Sequence, residues 1–246
     1  MADEIVEIDR PGEWPEKLTT YVKAAAKFVD GFTAYPNLCE DGNLGDFESG
    51  LRAVLAGQLL RTFHATRLLD YEVHDIKADG LRRLTPQLVQ HRQDKAHAAG
   101  VITAEELHAL RESSVLGTER FARFRLNKVC VVGNRQPFLE RPIGDQFRFW
   151  GGEAQYNGPG WSTLVNDRVR TLGRPALVVA LLDVTDSNVA ILSSRELIYP
   201  FVGSFMGLPG VGCQIDYEAD IPGDRIEAVW QPGVVDYDQF SSLPQH

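Results

Sequence analysis

The sequence predicts an α+β fold in which helices come first and strands follow. Apolar residues recur at three- and four-residue spacing through most of the first 114 positions, which is the helical period. Beyond Arg125 the chain consists of short apolar runs separated by Gly and Pro, which indicates strands and turns. Because strands and helices do not alternate regularly, we expect a mixed or antiparallel sheet rather than a parallel one.

Composition and charge narrow the classes of function. The chain has 246 residues and 25 Lys plus Arg against 34 Asp plus Glu, a formal net charge of -9. This balance excludes broad nonspecific binding to nucleic acid, which requires a wide basic surface. Three widely spaced cysteines without a CxxC pair argue against a disulfide scaffold or a structural zinc site. With no signal peptide and no apolar run of membrane-spanning length, we expect a cytoplasmic protein that does not enter a membrane.

The first 58 residues are predicted to form an N-terminal helical cap. Residues 14–32 and the segment from Phe47 to about Leu59 both show helical periodicity, and a loop rich in Asn, Gly and Asp separates them. The main domain is then expected to span residues 59–240.

The main domain opens with a short strand that ends near His64. A helix over residues 70–79 follows, with Asp70 as the expected N-cap and Gly80 as the residue that ends the helix.

A helical insertion is predicted over residues 86–114. Thr85 and Pro86 have the residue types that begin a helix, and the spacing of Thr103 and Glu106 is that of a capping box. After the insertion, five segments have strand character: 126–134, 174–184, 187–194, 211–221 and 224–233.

The segment FHATRL places an imidazole, a hydroxyl and a guanidinium at the end of a short strand and the start of a loop. Strand alternation puts His64 and Thr66 on one face, where they can hydrogen-bond sugar hydroxyls. Arg67 can grip a phosphate or carboxylate through two N–H groups. The structural alternative is a histidine satisfied by backbone, a threonine at a sheet edge and a surface arginine.

The same segment resembles the NAD-binding start of the ADP-ribosyltransferase-like superfamily, which includes poly-ADP-ribose polymerases, diphtheria-type toxins and RNA 2′-phosphotransferases. The matching residues are His64-Ala65-Thr66, followed by Ile76 and the Gly-Leu pair at 80–81. Ala65 departs from the Gly that is frequent at this position in the family. The resemblance implies a split, mixed or antiparallel sheet and NAD as substrate, with His64, Ala65 and Thr66 binding its ribose and nicotinamide amide.

The catalytic carboxylate is less well defined by the sequence. The family's Glu corresponds to a position near Gln214, and Asp216 and Glu218 lie two and four residues further on. Glu218, or Asp216 in a shifted register, can fill the role. Absence of a carboxylate there is compatible with an inactive module.

Glu153 in the segment FRFWGGEAQYNGPGW is a second candidate for the carboxylate. Two glycines allow close approach of the backbone to a ligand, and Trp150 and Tyr156 offer ring faces for a pyridinium cation. Here the structural alternative is a Gly-Gly turn before a helix, with Glu153 in the first turn and aromatic side chains in the core.

These residues lead to one expectation and two alternatives. We expect an enzyme that cleaves the nicotinamide–ribose bond of NAD and transfers ADP-ribose to a macromolecule or to water, as a toxin, a defence factor or a housekeeping enzyme. His64 with Glu153 or Glu218 would be catalytic, Arg67 would bind the pyrophosphate, and Trp150 or Tyr156 would stack on nicotinamide. An RNA 2′-phosphotransferase and an inactive binding module on the same fold are the alternatives. No metal site is expected.

Overall fold

A computed structural model describes residues 4–30, 37–38, 44–114, 116, 124–139, 145–152, 163–191, 197–208 and 212–241. These residues form eight α-helices: α1 (Glu16–Ala26), α2 (Leu44–Leu55), α3 (Asp70–Asp79), α4 (Pro86–Ala98), α5 (Ala104–Glu112), α6 (Thr163–Thr171), α7 (Ile198–Met206) and α8 (Val235–Ser241). The strands are β1 (Glu4–Val6), β2 (Val29–Asp30), β3 (Asn37–Leu38), β4 (Gln58–Leu68), β5 (Val129–Val132), β6 (Arg174–Leu182), β7 (Val189–Ile191), β8 (Gln214–Tyr217) and β9 (Ile226–Trp230). The predicted α+β class is confirmed.

Seven strands form one open sheet in the order β7-β8-β5-β4-β6-β9, with β1 beside the start of β4. All pairings are antiparallel except that of β1 with β4. The two remaining strands, β2 and β3, form a separate antiparallel ribbon. A sheet dominated by antiparallel pairs agrees with the prediction, because the intervening helices do not serve as regular parallel crossovers.

The N-terminal segment belongs to the same core as the sheet. β1 extends the sheet through the pairs Glu4↔Gln58 to Val6↔Leu60. Leu18 of α1 and Leu51 of α2 are fully buried in the same apolar cluster as Leu60. The strand β1 is not predicted from the sequence, because three residues are too few to show a strand period. The expected separate cap over residues 1–58 therefore shares its core with the domain that follows.

The other sheet face and the helical insertion have their own apolar clusters. Aromatic side chains of α8, including Tyr237 and Phe240, pack against Phe63 of β4. Both predicted helices of the insertion are present as α4 and α5. Thr85 Oγ1 accepts from the Leu88 N–H at 3.0 Å, and the capping box of Thr103 and Glu106 is formed. These helices pack with α6 around the buried Trp150.

The helix that follows β4 spans residues 70–79 as the sequence predicts, but its N-cap residue differs from the prediction. Leu69, and not Asp70, is the N-cap residue, and its N–H donates to the Glu72 carboxylate at 2.8 Å. Gly80 ends the helix with φ of 88°, a conformation that favours glycine. A Cβ at this position would also lie 1.9 Å from the Ile221 carbonyl oxygen. This close approach fixes the end of α3 against the strand bridge formed by Leu81 and Ile221.

Candidate functional site

The candidate site begins where β4 and β5 part. On one edge β4 pairs with β6 through nine consecutive residues, from Leu60 to Leu68. On the other edge the pairing with β5 is reduced to Phe63 opposite Val132. Beyond Phe63 the edge of β4 that faces β5 is therefore without a strand partner, and a backbone edge of this kind can bind a ligand.

His64 is the first residue of β4 beyond this pair. Nδ1 of its half-buried imidazole donates to the Cys130 carbonyl oxygen, 2.8 Å away. A carbonyl oxygen can only accept, so Nδ1 carries the proton and Nε2 holds the lone pair. No described residue hydrogen-bonds to Nε2. The imidazole is therefore oriented to accept a hydrogen bond from a ligand hydroxyl.

The environment of His64 keeps it neutral. Burial lowers the pKa of the imidazole below its ordinary 6.5, the bond to the Cys130 carbonyl opposes this, and the nearby positive charge of Arg92 lowers the pKa further. A neutral imidazole retains the Nε2 lone pair at physiological pH.

Ala65 and Thr66, the next two residues, differ in their surroundings. Ala65 packs in the aromatic cluster beneath α8, on the opposite face from His64. Thr66 is buried, and its hydroxyl makes only one long contact, 3.5 Å to the Arg67 carbonyl oxygen. The hydroxyl thus retains capacity for a further partner on the His64 face.

Arg67 has a structural set of partners. Its Nε donates to the Leu172 carbonyl at 2.9 Å, Nη2 to the Gly173 carbonyl at 2.8 Å and Nη1 to the Phe147 carbonyl at 3.2 Å. The guanidinium thereby ties the end of β4 to the turn before β6. The predicted role of gripping a pyrophosphate disagrees with this arrangement, since the fork of donors already satisfies three carbonyls.

Trp150 also lies elsewhere than predicted. Only 1% of its surface is exposed, and its Nε1 donates to Glu72 Oε2 at 2.9 Å. The Arg92 guanidinium lies over the ring, 5.3 Å from the centroid. The expectation that Trp150 stacks on nicotinamide is wrong for this arrangement, because the ring is buried and a cation already covers it. The structural alternative of an aromatic side chain in the core describes Trp150.

Glu72 is the centre of this polar cluster. Besides the bonds from Trp150 and the Leu69 N–H, it accepts from Arg92 Nε at 2.6 Å. Burial alone would lower the pKa of Arg92, but the charge and hydrogen bond of Glu72 hold it above its ordinary value. Arg92 therefore stays charged although it is largely withdrawn from water.

Three polar atoms beside Glu72 have no hydrogen-bond partner: Arg92 Nη2, Gln93 Nε2 and the Tyr71 hydroxyl. Arg92 and Gln93 line a shallow depression with Val89, Trp150 and Gly151, whose volume of about 10 Å³ is that of roughly one water molecule. Sequence analysis missed these residues. The available signal was that Arg92 and Gln93 lie on the same stripe of α4 as the buried Val89 and Ala96, where apolar residues are expected.

None of the predicted carboxylates among the described residues is hydrogen-bonded to His64. Glu218 follows the end of β8 and is exposed. Asp216 is fully buried and bonded to Lys128 at 2.6 Å, opposite Cys130 in the strand pairing. Burial and Asp216 raise the pKa of the Cys130 thiol to about 12, so this cysteine is not a thiolate nucleophile. Glu153 and Tyr156 lie outside the described residues.

Neither a metal site nor a membrane span emerges from the described residues. No group of three or more His, Cys, Asp or Glu side chains there is placed to hold a metal ion. None of the helices in the described ranges has the length and apolarity to cross a bilayer. In comparisons with known proteins, no family model, no curated protein and no solved structure matches this chain.

Proposed function

We propose that the chain binds NAD at the parting of β4 and β5 and cleaves its nicotinamide–ribose bond. The observation that carries the proposal is the orientation of His64, whose proton is held by the Cys130 carbonyl while Nε2 has no described partner. Such a nitrogen is suited to accept a hydrogen bond from a ribose hydroxyl. The unpaired edge of β4 beside it supplies backbone groups for the carboxamide of nicotinamide.

The chemistry needs positioning and charge stabilisation more than acid catalysis. As the bond between ribose C1′ and the pyridinium nitrogen breaks, its electron pair leaves with nicotinamide, which becomes neutral. The ribose acquires oxocarbenium character, as in glycoside cleavage. An acceptor oxygen then bonds to C1′ and loses its proton. His64 positions the ribose, and Glu153 or Glu218 is the proposed carboxylate that stabilises the cation.

Release of nicotinamide from NAD tests this proposal. We expect the wild-type chain to release nicotinamide and His64→Ala to lower the rate about tenfold or more, the effect of losing one hydrogen bond that positions the ribose. His74→Ala is the matched control, because His74 is exposed on α3. Glu153→Gln and Glu218→Gln identify the carboxylate. Wild-type activity in the His64→Ala variant would contradict the proposal.

A binding module without turnover is the second candidate, favoured by one observation. No carboxylate among the described residues is hydrogen-bonded to His64, and the strand carboxylate Asp216 is paired with Lys128. On this alternative NAD binds, binding weakens in His64→Ala, and no nicotinamide appears. Calorimetric titration alongside the release assay separates the two, and labelled NAD with protein, DNA or RNA then tests for an acceptor.

A further inference from the structure

The strands β4 and β5 part although both continue as strands. β4 pairs with β6 as far as Leu68, and β5 pairs with β8 as far as Val129. Between β4 and β5 only Phe63 and Val132 are paired. The gap between the two strands beyond this pair therefore does not arise because either strand ends, and its cause lies in the groups that occupy the facing backbone.

The direction of the β5 carbonyls follows from its ladder with β8. The Gly133 N–H donates to the Cys213 carbonyl at 2.9 Å, so this N–H points to the side of β8. In a trans peptide unit the carbonyl points opposite to the N–H, and the direction repeats at every second residue of a strand. The carbonyls of Val132, Cys130 and Lys128 consequently point towards β4.

Extending the existing pair shows which residues of β4 would meet these carbonyls. Two residues beyond it, the same register brings Ala65 opposite Cys130. Two residues further, it brings Arg67 opposite Lys128. The N–H groups of Ala65 and Arg67 are therefore the donors that a continued ladder would use.

Other donors hold both of these carbonyls. His64 Nδ1 donates to the Cys130 carbonyl at 2.8 Å, and the Leu84 N–H donates to the Lys128 carbonyl at 3.0 Å. Leu84 belongs to the segment that joins α3 to α4. The β5 carbonyls are thus satisfied without β4, which removes the reason for the two strands to pair.

We propose that the His64 imidazole is a spacer that holds β4 and β5 apart. By donating to the Cys130 carbonyl, it takes the place of the Ala65 N–H and leaves the Ala65 backbone facing the gap. Without the imidazole, the Cys130 carbonyl loses its donor, and the Ala65 N–H is the group that the register places opposite it. The two strands should then pair through Ala65 and Cys130.

The spacer role is distinct from the proposed contact with NAD. It uses Nδ1 of His64 and concerns the fold, whereas the proposed ligand contact uses Nε2. It holds whichever ligand enters the gap.

NMR of the chain without ligand tests the proposal. In an antiparallel ladder the Cα atoms of a non-hydrogen-bonded pair lie about 4.5 Å apart, and the extended register makes residue 64 and Val131 such a pair. We expect an Hα–Hα NOE between these residues in His64→Ala and not in the wild type. Exchange of the Ala65 amide with solvent should slow about tenfold or more in the same variant, because the amide gains a hydrogen bond.

Two further variants and an internal control make the test specific. His64→Gln retains a donor for the Cys130 carbonyl, so the gap and the fast exchange at Ala65 should persist. His64→Val suits a strand but cannot donate, so it should close the gap as His64→Ala does. The Phe63 amide is the internal control, because Phe63 is already paired with β5 and should stay protected in every variant.

Each outcome decides the proposal. One folded variant of His64→Ala and His64→Val is enough for the test. If that variant lacks the new NOE and exchanges at Ala65 as the wild type does, the strands stay apart without the imidazole and the proposal is overturned. Closure of the gap in His64→Gln would overturn it as well, because the donated hydrogen bond would not be what keeps the strands apart. If neither His64→Ala nor His64→Val folds, the strands do not pair without the imidazole, and the proposal also fails.

The same variants separate this proposal from the proposed function. Closure of the gap in His64→Ala, with no nicotinamide release by the wild type, would support the spacer role and contradict the NAD proposal. Nicotinamide release that depends on His64, with strands that stay apart in every variant, would support the NAD proposal and contradict the spacer role.

Discussion

The two edges of β4 contrast in how their hydrogen-bonding groups are used. The edge that faces β6 continues through nine paired residues, and the β6 residues from Ala176 to Ala180 have no exposed surface. The opposite edge pairs with β1 from Gln58 to Leu60 and with β5 at Phe63 alone, and His64 contacts β5 through its side chain instead of through a backbone ladder. One strand is thus continuously paired on one side and only partly paired on the other.

Two arginines near the end of β4 differ in how completely their donors are used. Arg67 donates to three carbonyls and joins β4 to the turn before β6. Arg92 donates through Nε to the Glu72 carboxylate, and its Nη2 has no hydrogen-bond partner. Buried polar atoms without a hydrogen-bond partner also occur elsewhere in the described ranges, including Asp216 Oδ1 and Gln231 Nε2.

The largest expected effect on stability concerns the side of β4 that pairs continuously with β6. Leu177 of β6 is fully buried beneath α8, so Leu177→Ala should lower the free energy of unfolding by about 2–5 kcal/mol through lost burial and the cavity that remains. Denaturant unfolding measures this change. His64→Ala should cost clearly less, since it removes one hydrogen bond beside an edge without a ladder. If the two substitutions lower the free energy of unfolding equally, the side of β4 that faces β5 contributes as much to stability as the side that faces β6.

Much of the fold was predictable because its signals are local. The helical period, the capping residues Thr85 and Thr103, and Gly80 at the end of α3 each depend on neighbouring residues, and the corresponding elements are present. The packing of β1, α1 and α2 in one core with the sheet was not predictable. β1 is a strand only because it pairs with Gln58 to Leu60, and that contact joins residues distant in sequence.

The candidate site was predictable only in part. The alternation of β4 places His64 and Thr66 on one face, as strand period requires, but the sequence does not show that Arg67 would find three backbone carbonyls. These acceptors come from residues about 80 to 106 positions away in the chain. The sequence predicts a ligand-stacking role for Trp150 because its burial by α4 and α6 depends on tertiary packing and leaves no local signal. The ADP-ribosyltransferase fold and NAD stay predictions.

A change of pH should alter both the free energy of unfolding and the affinity for NAD through the titration of His64. Its folded pKa lies below 6.5, so between these two values the unfolded chain binds more protons than the folded one. The free energy of unfolding should therefore fall as the pH drops below about 6.5. Protonation also removes the Nε2 lone pair, so NAD affinity should decline over the same range.

The His64→Gln variant isolates this contribution. Glutamine does not titrate, and its amide can still donate towards the Cys130 carbonyl. The difference in unfolding free energy between wild type and His64→Gln, measured from pH 7.5 to 5.0, should shrink or reverse in sign as the pH falls. Asp9, whose pKa burial raises, acts in the opposite direction but is common to both proteins and cancels in the difference. A difference independent of pH would show that His64 does not titrate as inferred.

The smallest expected effect comes from two threonines on the same face of β4. Thr62 donates to the Ala180 carbonyl at 2.9 Å, whereas Thr66 makes only the 3.5 Å contact with the Arg67 carbonyl. Thr62→Val should therefore cost about 1 kcal/mol of unfolding free energy, and Thr66→Val less. NAD affinity should fall more in Thr66→Val than in Thr62→Val, because only Thr66 lies beyond Phe63, where β4 has no strand partner on the side that faces β5. A larger stability loss for Thr66→Val, with NAD affinity intact, would show that its hydroxyl stabilises the fold. His64 would then be the one proposed ligand contact of the pair.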